Sequence, residues 1–194
     1  MASHRRANGP EPGRRGAAPT IRCFVALQPD EAALQRLERL AAEQHAHFPA
    51  ARRMRRENLH LTLAFIGALD TGRARAVAAT LAAEPPAPFD WSLDTIGAFA
   101  GARVLWVGGS DTRLDALTAR ARALLDHLAV RFDRKPFVAH VTLLRDVPRD
   151  ASRDAAQRIE PPILWHAGAP VLLESRTDSN GVRYLPVSAQ AGDG

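Results

Sequence analysis

Cysteine and lysine are almost missing from this sequence. Among its 194 residues, Cys23 is the only cysteine and Lys135 the only lysine. A single cysteine excludes an intrachain disulfide and a cysteine-based metal site, and it fits a reducing cytoplasm. No apolar run approaches the roughly 18 residues that a membrane span needs, so we expect a soluble, cytoplasmic protein without membrane contact. The glycine-rich fingerprints of phosphate loops and dinucleotide sites do not occur either.

Arginine supplies nearly all of the positive charge. The net charge is +5 and the sequence pI is near 10.7. Because a guanidinium group binds phosphate in a bidentate manner, the excess suggests an anionic partner. An arginine-rich, solvated surface without such a partner would give the same composition.

The length and composition predict one domain. Residues 21–190 are enough for a substantial core, and 46% of the chain is hydrophobic. Residues 1–20 carry arginines among glycine, proline and alanine, lack the apolar run of a signal peptide, and are predicted to be a disordered tail. Residues 191–194 are predicted to be loose.

The spacing of apolar residues predicts the strands and helices. Predicted strands cover residues 21–27, 58–66, 89–99, 104–107, 137–144, 163–173 and 183–187. Predicted helices run from a cap at Pro29-Asp30-Glu31 to before Pro49, over 71–83, onward from a cap at Ser110 and Asp111, and within 148–158. Gly67 is expected to end the second strand, and Asn180-Gly181 to form a turn between the last strands.

The order of these elements contains a repeat. A strand beginning at Arg22, a helix and a strand with His60 recur as a strand beginning at Arg103, a helix and a strand with His140. Arg22 lies 38 residues before His60, and Arg103 lies 37 residues before His140. We therefore predict two similar halves with equivalent strands on either side of a groove. Coincidence between two ordinary strand-helix-strand units is the alternative.

Each of these two strands carries a His-x-Thr motif. Residues i and i+2 share a face of a strand, so His60 points with Thr62, and His140 points with Thr142. The alternating residues are apolar and face the packed side. Burying an unpaired imidazole and hydroxyl is costly, so each polar pair needs solvent or a function. Taken singly, either histidine would more commonly be structural.

Two histidines across a groove suit the hydrolysis of a cyclic phosphodiester. One imidazole takes a proton from water while the other gives a proton to the departing ribose oxygen. Their reference pKa of about 6.5 allows both protonation states near neutrality. The threonine hydroxyls can donate to the non-bridging phosphate oxygens. No metal or other cofactor is then required, and His45 with His47 is a poor metal pair because residues two apart on a helix face different ways.

The motifs and their flanks resemble the two-histidine (2H) phosphoesterase superfamily. Within it, the chain is similar to the RNA 2′,3′-cyclic phosphodiesterases once described as 2′-5′ RNA ligases. The matching segments are 22–26, 57–63 with Phe65 and Gly67, 137–143 with Arg145, and 183–186. The resemblance as a whole runs from about residue 22 to residue 189.

The resemblance implies a bilobal, duplicated α+β fold in which two antiparallel sheets line a central basic cleft, with helices outside. It implies that RNA 2′,3′-cyclic phosphates are hydrolysed to 2′-phosphomonoesters, with His60 as proton donor and His140 as proton acceptor. Two positions depart from the family pattern: Arg53 stands where an aromatic is common, and Ala139 where a proline often precedes the motif. Both bear on the substrate rather than on the chemistry.

Several flanking residues are candidates for substrate binding. Arg22 and Phe24 share a strand face and could reach the cleft, where the ring would stack on a base, although such a phenylalanine is more commonly core. Arg145 has the wrong parity to point beside His140, and only a twist or bulge would turn it inward to a phosphate. The arginines at 52, 53, 55 and 56 precede the first motif and could contact an RNA backbone, or lie in a solvated loop.

Three functions remain open from the sequence. The first is the hydrolase acting on cyclic-phosphate-ended RNA or a cyclic nucleotide. The second is an RNA or nucleotide binding module without turnover, and the third is a 2H phosphodiesterase for another small cyclic phosphate. The protein is expected to be a monomer.

Overall fold

The computed structural model describes residues 18–152, 157–179 and 181–189. The strands are β1 (Thr20–Leu27), β2 (Arg52–Arg53), β3 (Leu61–Asp70), β4 (Phe89–Phe99), β5 (Val104–Gly108), β6 (His140–Arg145), β7 (Gln157–Ala167), β8 (Val171–Asp178) and β9 (Gly181–Pro186). The helices are α1 (Glu31–His47), α2 (Thr71–Ala83) and α3 (Thr112–His127), with single 3-10 turns at Arg56–Asn58, Ala100–Ala102 and Arg149–Ser152. This is the predicted α+β class.

The strands form one nine-stranded antiparallel sheet with the order β7-β4-β5-β6-β3-β1-β8-β9, and β2 pairs with β6. We refer to β3, β1, β8 and β9 as the His60 half, and to β7, β4, β5 and β6 as the His140 half. The halves join where Leu61 of β3 pairs with Val141 of β6. The two sheets that the family resemblance implied are therefore the two halves of one hydrogen-bonded sheet.

Two of the three helices hold the halves together. The predicted caps form: Asp30 accepts a hydrogen bond from the Ala33 amide at 2.9 Å, and Asp111 accepts one from the Arg113 amide at 2.8 Å. In sequence, α1 follows β1, but it packs against β6 and β7 of the other half, whereas α3 follows β5 and packs against β3. Each half thus packs against the helix of its counterpart. No helix in the described segments is long and apolar enough to span a membrane.

The strands of the His-x-Thr motifs differ from their predicted bounds. The first starts at Leu61 because Arg56–Asn58 form a 3-10 turn, and it continues past Gly67 to Asp70. Gly67 does not end the strand because it takes a φ of +85° within the ladder and pairs with Cys23. The second motif strand starts at His140, so residues 137–139 lie before it.

The prediction of one strand over residues 163–173 was wrong. This stretch contains the end of β7 and the start of β8, which lie in different halves of the sheet. Gly168, Ala169 and Pro170 connect them, and proline lacks the amide that a central strand needs. The short helix predicted within 148–158 is a single 3-10 turn, and β7 already begins at Gln157. Residues 153–156 lie outside the described residues.

The predicted ends of the chain are largely untested. Residues 1–17, Asn180 of the predicted turn, and 190–194 lie outside the described residues. Thr20, which was assigned to the tail, begins β1 and pairs with Asp70.

Candidate active site

Both histidines stand on the open face of the junction between the halves. Leu61 and Val141 are fully buried on the packed face, as the two-residue period predicts. Continuing this antiparallel pair by one residue in each direction sets His60 opposite Thr142 and His140 opposite Thr62. The histidines are then diagonal neighbours on one face, about 7–8 Å apart in such ladders.

The two imidazoles are held in the same way. His60 Nδ1 lies 2.7 Å from the carbonyl oxygen of Asn58, and His140 Nδ1 lies 2.7 Å from that of Val138. A carbonyl only accepts, so Nδ1 carries the proton in both neutral rings. The reactive nitrogen of each ring is therefore Nε2. In His60 this atom lies 3.0 Å from Thr62 Oγ1, whose hydroxyl donates to it.

Asn58 positions the first histidine with both its backbone and its side chain. Its carbonyl accepts from His60, and its amide Nδ2 donates to the carbonyl of Val182 on β9 at 2.8 Å. The side chain is buried, so this bond ties the turn before His60 to the neighbouring strand. The sequence identified Asn58 only as part of the family-like segment, because no periodicity marks such a bond.

A β-bulge turns Arg145 into the cleft. Leu144 pairs with Leu105 and Thr142 pairs with Trp106, so Leu143 is left out of the ladder. Leu143 and Leu144 are consequently both buried, and the parity changes before Arg145. This is the bulge that the sequence argument required for an inward-pointing Arg145.

The first motif has the same irregularity. Ala64 pairs with Val25 and Thr62 pairs with Ala26, which leaves Leu63 out of the ladder. Phe65 consequently takes the position that corresponds to Arg145, and its ring is 44% exposed. Counting every second residue from His60 places Phe65 on the opposite, packed face, so the sequence alone does not identify it as a cleft residue.

Aromatic rings pack around His60. The ring centroids of Phe24 and Tyr184 lie 4.9 Å and 5.0 Å from that of the imidazole. Phe24 is only 3% exposed, and its ring packs against the histidine. The exposed ring of this wall is that of Phe65. The guanidinium carbon of Arg22 lies over Phe65, 5.8 Å from the ring centroid.

An equivalent pair of rings holds His140. Phe99 meets the imidazole edge-on at a centroid distance of 4.9 Å, and Trp106 at 6.1 Å. Trp106 lies across Gly97 of the neighbouring strand, where any Cβ would overlap the indole. At Gly108, which pairs with His140, a Cβ would overlap the backbone carbonyl of Ala139. These glycines are needed for close approach rather than for a turn.

A cavity of about 640 Å³ opens beside His60. Its walls are formed by Arg22, Cys23, Phe24, Arg52, Arg53, Met54, Arg55, Asn58, His60, Thr62, Phe65, Arg145, Ser175, Gly181, Val182 and Tyr184. Five of the predicted site residues are in this set, while His140 and Thr142 lie on the neighbouring strand β6. Five arginines line the cavity, and none of the residues that line it is an aspartate or glutamate.

The surroundings favour neutral imidazoles. Burial lowers the pKa of His60 to about 4, the hydrogen bond to Asn58 opposes this, and the charges of His140 and Arg145 add to the lowering. The pKa of His140 is also lowered, mainly by burial and further by Arg145, against the opposing hydrogen bond to Val138. Both shifts favour the neutral form of the imidazole near pH 7, beside a cavity lined by arginines.

Arg56 of the predicted arginine cluster and Arg103 of the repeat serve the fold. Arg56 donates to Glu38 at 2.8 Å and also pairs with Glu31, so it belongs to α1 rather than to the cavity. Arg103, the counterpart of Arg22 in the repeat, donates to the carbonyls of Asp146 and Val147. Over the described residues, no three His, Cys, Asp or Glu side chains come together in a way that could hold a metal ion.

Known proteins share this sequence pattern and this fold. Residues 27–106 match the family described as LigT like Phosphoesterase. The chain is 31% identical over 152 residues to the RNA 2′,3′-cyclic phosphodiesterase of Escherichia coli K12, covering 75% of this chain and 83% of that protein. It is 27% identical over 128 residues to a Geobacillus stearothermophilus protein of the same name, covering 63% of this chain but only 41% of that protein.

The solved structures give the same result. E. coli LigT in complex with 3′-AMP superimposes with a TM-score of 0.73 at 25% identity, covering 88% of this chain and 97% of that one. Thermus thermophilus TT0787 superimposes with a TM-score of 0.64. The paired motifs, the duplicated fold and the 31% identity over most of the E. coli protein lead to one conclusion: the chain belongs to the LigT-like family of two-histidine phosphoesterases.

Proposed function

We propose that this protein hydrolyses the 2′,3′-cyclic phosphate of an RNA 3′ end, or of a nucleotide, to a 2′-phosphomonoester. The observation that carries the proposal is the pair of imidazoles, both held through Nδ1 on paired strands, with an arginine-lined cavity beside His60. His60, His140, Thr62, Thr142 and Arg145 are the residues that we assign to the reaction. The names of the relatives support the same substrate class.

The reaction needs two proton transfers on opposite sides of phosphorus. His140 Nε2 takes a proton from water, whose oxygen attacks the phosphorus atom. The bond from phosphorus to the ribose 3′ oxygen breaks, and His60 Nε2 donates a proton to that oxygen. The product keeps the phosphate on the 2′ oxygen. Every electron pair moves between water, phosphate and ribose, so the residues need no metal to complete the step.

Charge on the phosphate is held by donors that point at the cleft. Arg145 supplies a cation, and the threonine hydroxyls donate to the non-bridging oxygens as their charge grows in the transition state. A guanidinium that already lines the cavity needs little reorganisation at the moment of reaction. The bulge at Leu143 supports this role, since it turns Arg145 inward.

His60 acquires its proton with the substrate. Its pKa of about 4 favours the neutral ring at pH 7 before substrate binds, whereas a histidine that donates a proton in this step must be charged. The anionic cyclic phosphate favours the imidazolium form when it binds nearby. Binding and proton uptake are consequently coupled, and the donor is assembled only in the complex.

We also propose that the enzyme acts as a monomer. We place the reaction in the cytoplasm, in keeping with a chain whose only cysteine is buried.

The test uses 2′,3′-cyclic CMP and an oligonucleotide with a 2′,3′-cyclic phosphate end, each with and without EDTA. Products are compared by chromatography with authentic 2′- and 3′-phosphates. We expect the 2′-phosphate and no effect of EDTA. A 3′-phosphate product or loss of activity with EDTA would contradict the mechanism, and binding without turnover would leave a binding module instead.

A further inference from the structure

The direction of the Arg145 side chain depends on its backbone. Its guanidinium lines the cavity beside His60, yet within the described part of the chain it has no hydrogen-bond or ion-pair partner. Arg145 is also the last residue of β6, and the ends of strands open more readily than their centres. A contact outside the Arg145 side chain is therefore needed to keep this strand end closed and the guanidinium directed at the cleft.

The turn after Arg145 has an unfavourable backbone conformation. Asp146 has a φ of +64°, and Arg103, which lies immediately before β5, has a φ of +53°. Left-handed backbone is costly for residues other than glycine and persists only where the surrounding contacts enforce it. Among the described residues, Ala129 is the only other non-glycine residue with a positive φ. Two of these three residues thus meet at the corner next to Arg145.

Three hydrogen bonds, which we name the Arg103 clamp, hold this corner. Arg103 Nε donates to the Val147 carbonyl at 3.0 Å, and Arg103 Nη2 donates to the Asp146 carbonyl at 2.9 Å. In return, the Val147 amide donates to the Arg103 carbonyl at 3.2 Å. A guanidinium suits two successive carbonyls because its donors form a rigid fork. Val104, the residue after Arg103, is the ladder partner of Arg145, so the clamp lies directly beyond the last pair of β6.

The other contacts of this corner are weaker. The Asp146 carboxylate lies 3.4 Å from Arg52 Nε, but both side chains are well exposed, and such a pair contributes little to stability. Arg52 is also the cross-strand partner of Arg145, where like charges repel and do not hold the strand end in place. The clamp and the buried side chain of Val147 are therefore the contacts that fix the backbone after Arg145.

The repeat provides an independent observation. Arg22, the counterpart of Arg103, places its guanidinium over the ring of Phe65, which occupies the position equivalent to Arg145. In the other half, a cation placed over the Arg145 guanidinium would repel it. Arg103 instead binds the backbone one and two residues beyond Arg145. In both halves the arginine of the repeat thus acts on the residue that follows the bulge, once through the side chain and once through the backbone.

We infer that Arg103 is a positioning residue for Arg145. By clamping the turn at Asp146 and Val147, it keeps the Arg145 guanidinium directed at the cleft, although Arg103 itself does not line the cavity. This inference deepens the proposed function and rests on it, since Arg145 is there assigned to the phosphate. Its consequence is that Arg103 contributes to the reaction only while Arg145 is present.

A double-variant cycle on 2′,3′-cyclic CMP tests this consequence. Arg103→Ala should lower kcat/KM by about three- to tenfold, because Arg145 then faces the phosphate for less of the time. In the Arg145→Ala background the same substitution should have almost no further effect. Arg103→Lys should keep part of the rate, since an ammonium group reaches one carbonyl but does not fork between two. Wild-type kinetics for Arg103→Ala would overturn the inference, and so would an equal loss in both backgrounds.

Arg73 provides a matched control. It donates to the carbonyls of Leu128 and Ala129 at 2.9 Å and 2.8 Å, and Ala129 is the third residue with a positive φ. Arg73→Ala therefore removes the same charge and the same kind of clamp from a turn after α3, and it should leave kcat/KM unchanged. Both arginines are exposed, so neither substitution leaves a buried void, and circular dichroism confirms that the variants are folded. Equal losses of kcat/KM in Arg73→Ala and Arg103→Ala would contradict the assignment.

The pKa values of the two histidines report on Arg145 without turnover. Both are lowered mainly by burial and further by the charge of Arg145. In NMR titrations of the free protein, Arg145→Ala should raise both pKa values, and Arg103→Ala should raise them by a smaller amount. This smaller shift should vanish in the Arg145→Ala background, whereas a direct effect of the Arg103 charge would persist there.

These titrations separate the inference from the proposed function. If the protein hydrolyses no cyclic phosphate, the proposed function fails, and the histidine pKa values still decide the role of Arg103. Values that are unchanged in Arg103→Ala, or a shift that persists without Arg145, would overturn the positioning role.

Discussion

The two halves of the molecule hold their histidines in nearly the same way. In both, Nδ1 donates over 2.7 Å to the carbonyl two residues earlier, two aromatic rings enclose the imidazole, and a bulge follows the threonine. The rings differ in type: phenylalanine and tyrosine around His60, phenylalanine and tryptophan around His140. What is repeated is a way of presenting Nε2 from a strand.

The halves differ in the charge that surrounds this common arrangement. The cavity beside His60 contains five arginines, whereas the cavity next to the residues before His140 contains two aspartates. The reaction is nearly symmetric, because water on one side and ribose oxygen on the other each exchange one proton. The substrate is one-sided, because only the ribose continues into a chain. The duplicated fold suits the near symmetry of the reaction. The different side chains of the two halves suit the one-sided substrate.

The largest expected effect comes from removing either histidine. His60→Ala and His140→Ala should each lower kcat by about 10²-fold or more, the scale of general acid or base catalysis. The double variant should be little worse than the poorer single one, because the concerted path is already lost. Steady-state rates on cyclic CMP measure this, with circular dichroism as the control for folding. One variant with full activity would show that the halves are not equivalent in chemistry.

Arg145 and Phe65 occupy equivalent positions after the bulges of the two halves, but their side chains differ. Variants of both residues test whether this difference matters for the reaction. Arg145→Ala should lower kcat/KM by roughly 10- to 10²-fold, since it removes a charged contact from the developing phosphate charge. Arg145→Lys should keep part of the rate. Phe65→Ala, the equivalent change in the other half, should act mainly on KM. Equal losses of kcat in the two alanine variants would contradict the assigned difference.

Much of this site could be predicted from the sequence, because it follows from the two-residue alternation along each strand. The alternation around His60 and His140 identified the faces, and aspartates at helix starts identified caps that form. The bulges at Leu63 and Leu143 could not be read in the same way, since an unpaired residue depends on the register of the neighbouring strand. They decide the direction of Phe65 and Arg145.

The order of the strands in the sheet could not be predicted from the sequence either. The apolar run at 163–173 has no internal signal that its two ends belong to opposite halves, apart from Gly168 and Pro170. Arg56 looked equivalent to its arginine neighbours, and only the positions of Glu31 and Glu38 on α1 separate it from the cavity. Long-range partners determine such roles, and spacing does not encode them.

The pH profile should show an acidic optimum for the free enzyme. The pKa values of both histidines are lowered, His60 to about 4, so both limbs of the kcat/KM bell should lie below the usual value of about 6.5. In the kcat profile the bound anion favours imidazolium, so the alkaline limb should move to higher pH. Profiles from pH 3.5 to 9 on cyclic CMP test this. A kcat/KM optimum above pH 6.5 would contradict the lowered pKa values of the histidines in the free enzyme.

The smallest effect separates the two threonines. Thr62 donates to His60 Nε2 over 3.0 Å, and the described residues show no matching bond from Thr142 to His140. A hydrogen bond to the neutral ring disfavours its protonation, so Thr62→Ala should raise the pKa of His60 and move one limb of the kcat/KM profile to higher pH. Thr142→Ala should lower the rate by a similar modest factor, roughly tenfold or less, and leave both limbs in place. Thr62→Ser keeps the hydroxyl and is the control that should preserve the wild-type limbs. If both alanine variants shift the profile alike, the hydrogen bond at His60 is not a difference between the halves, and the threonines act only on the phosphate.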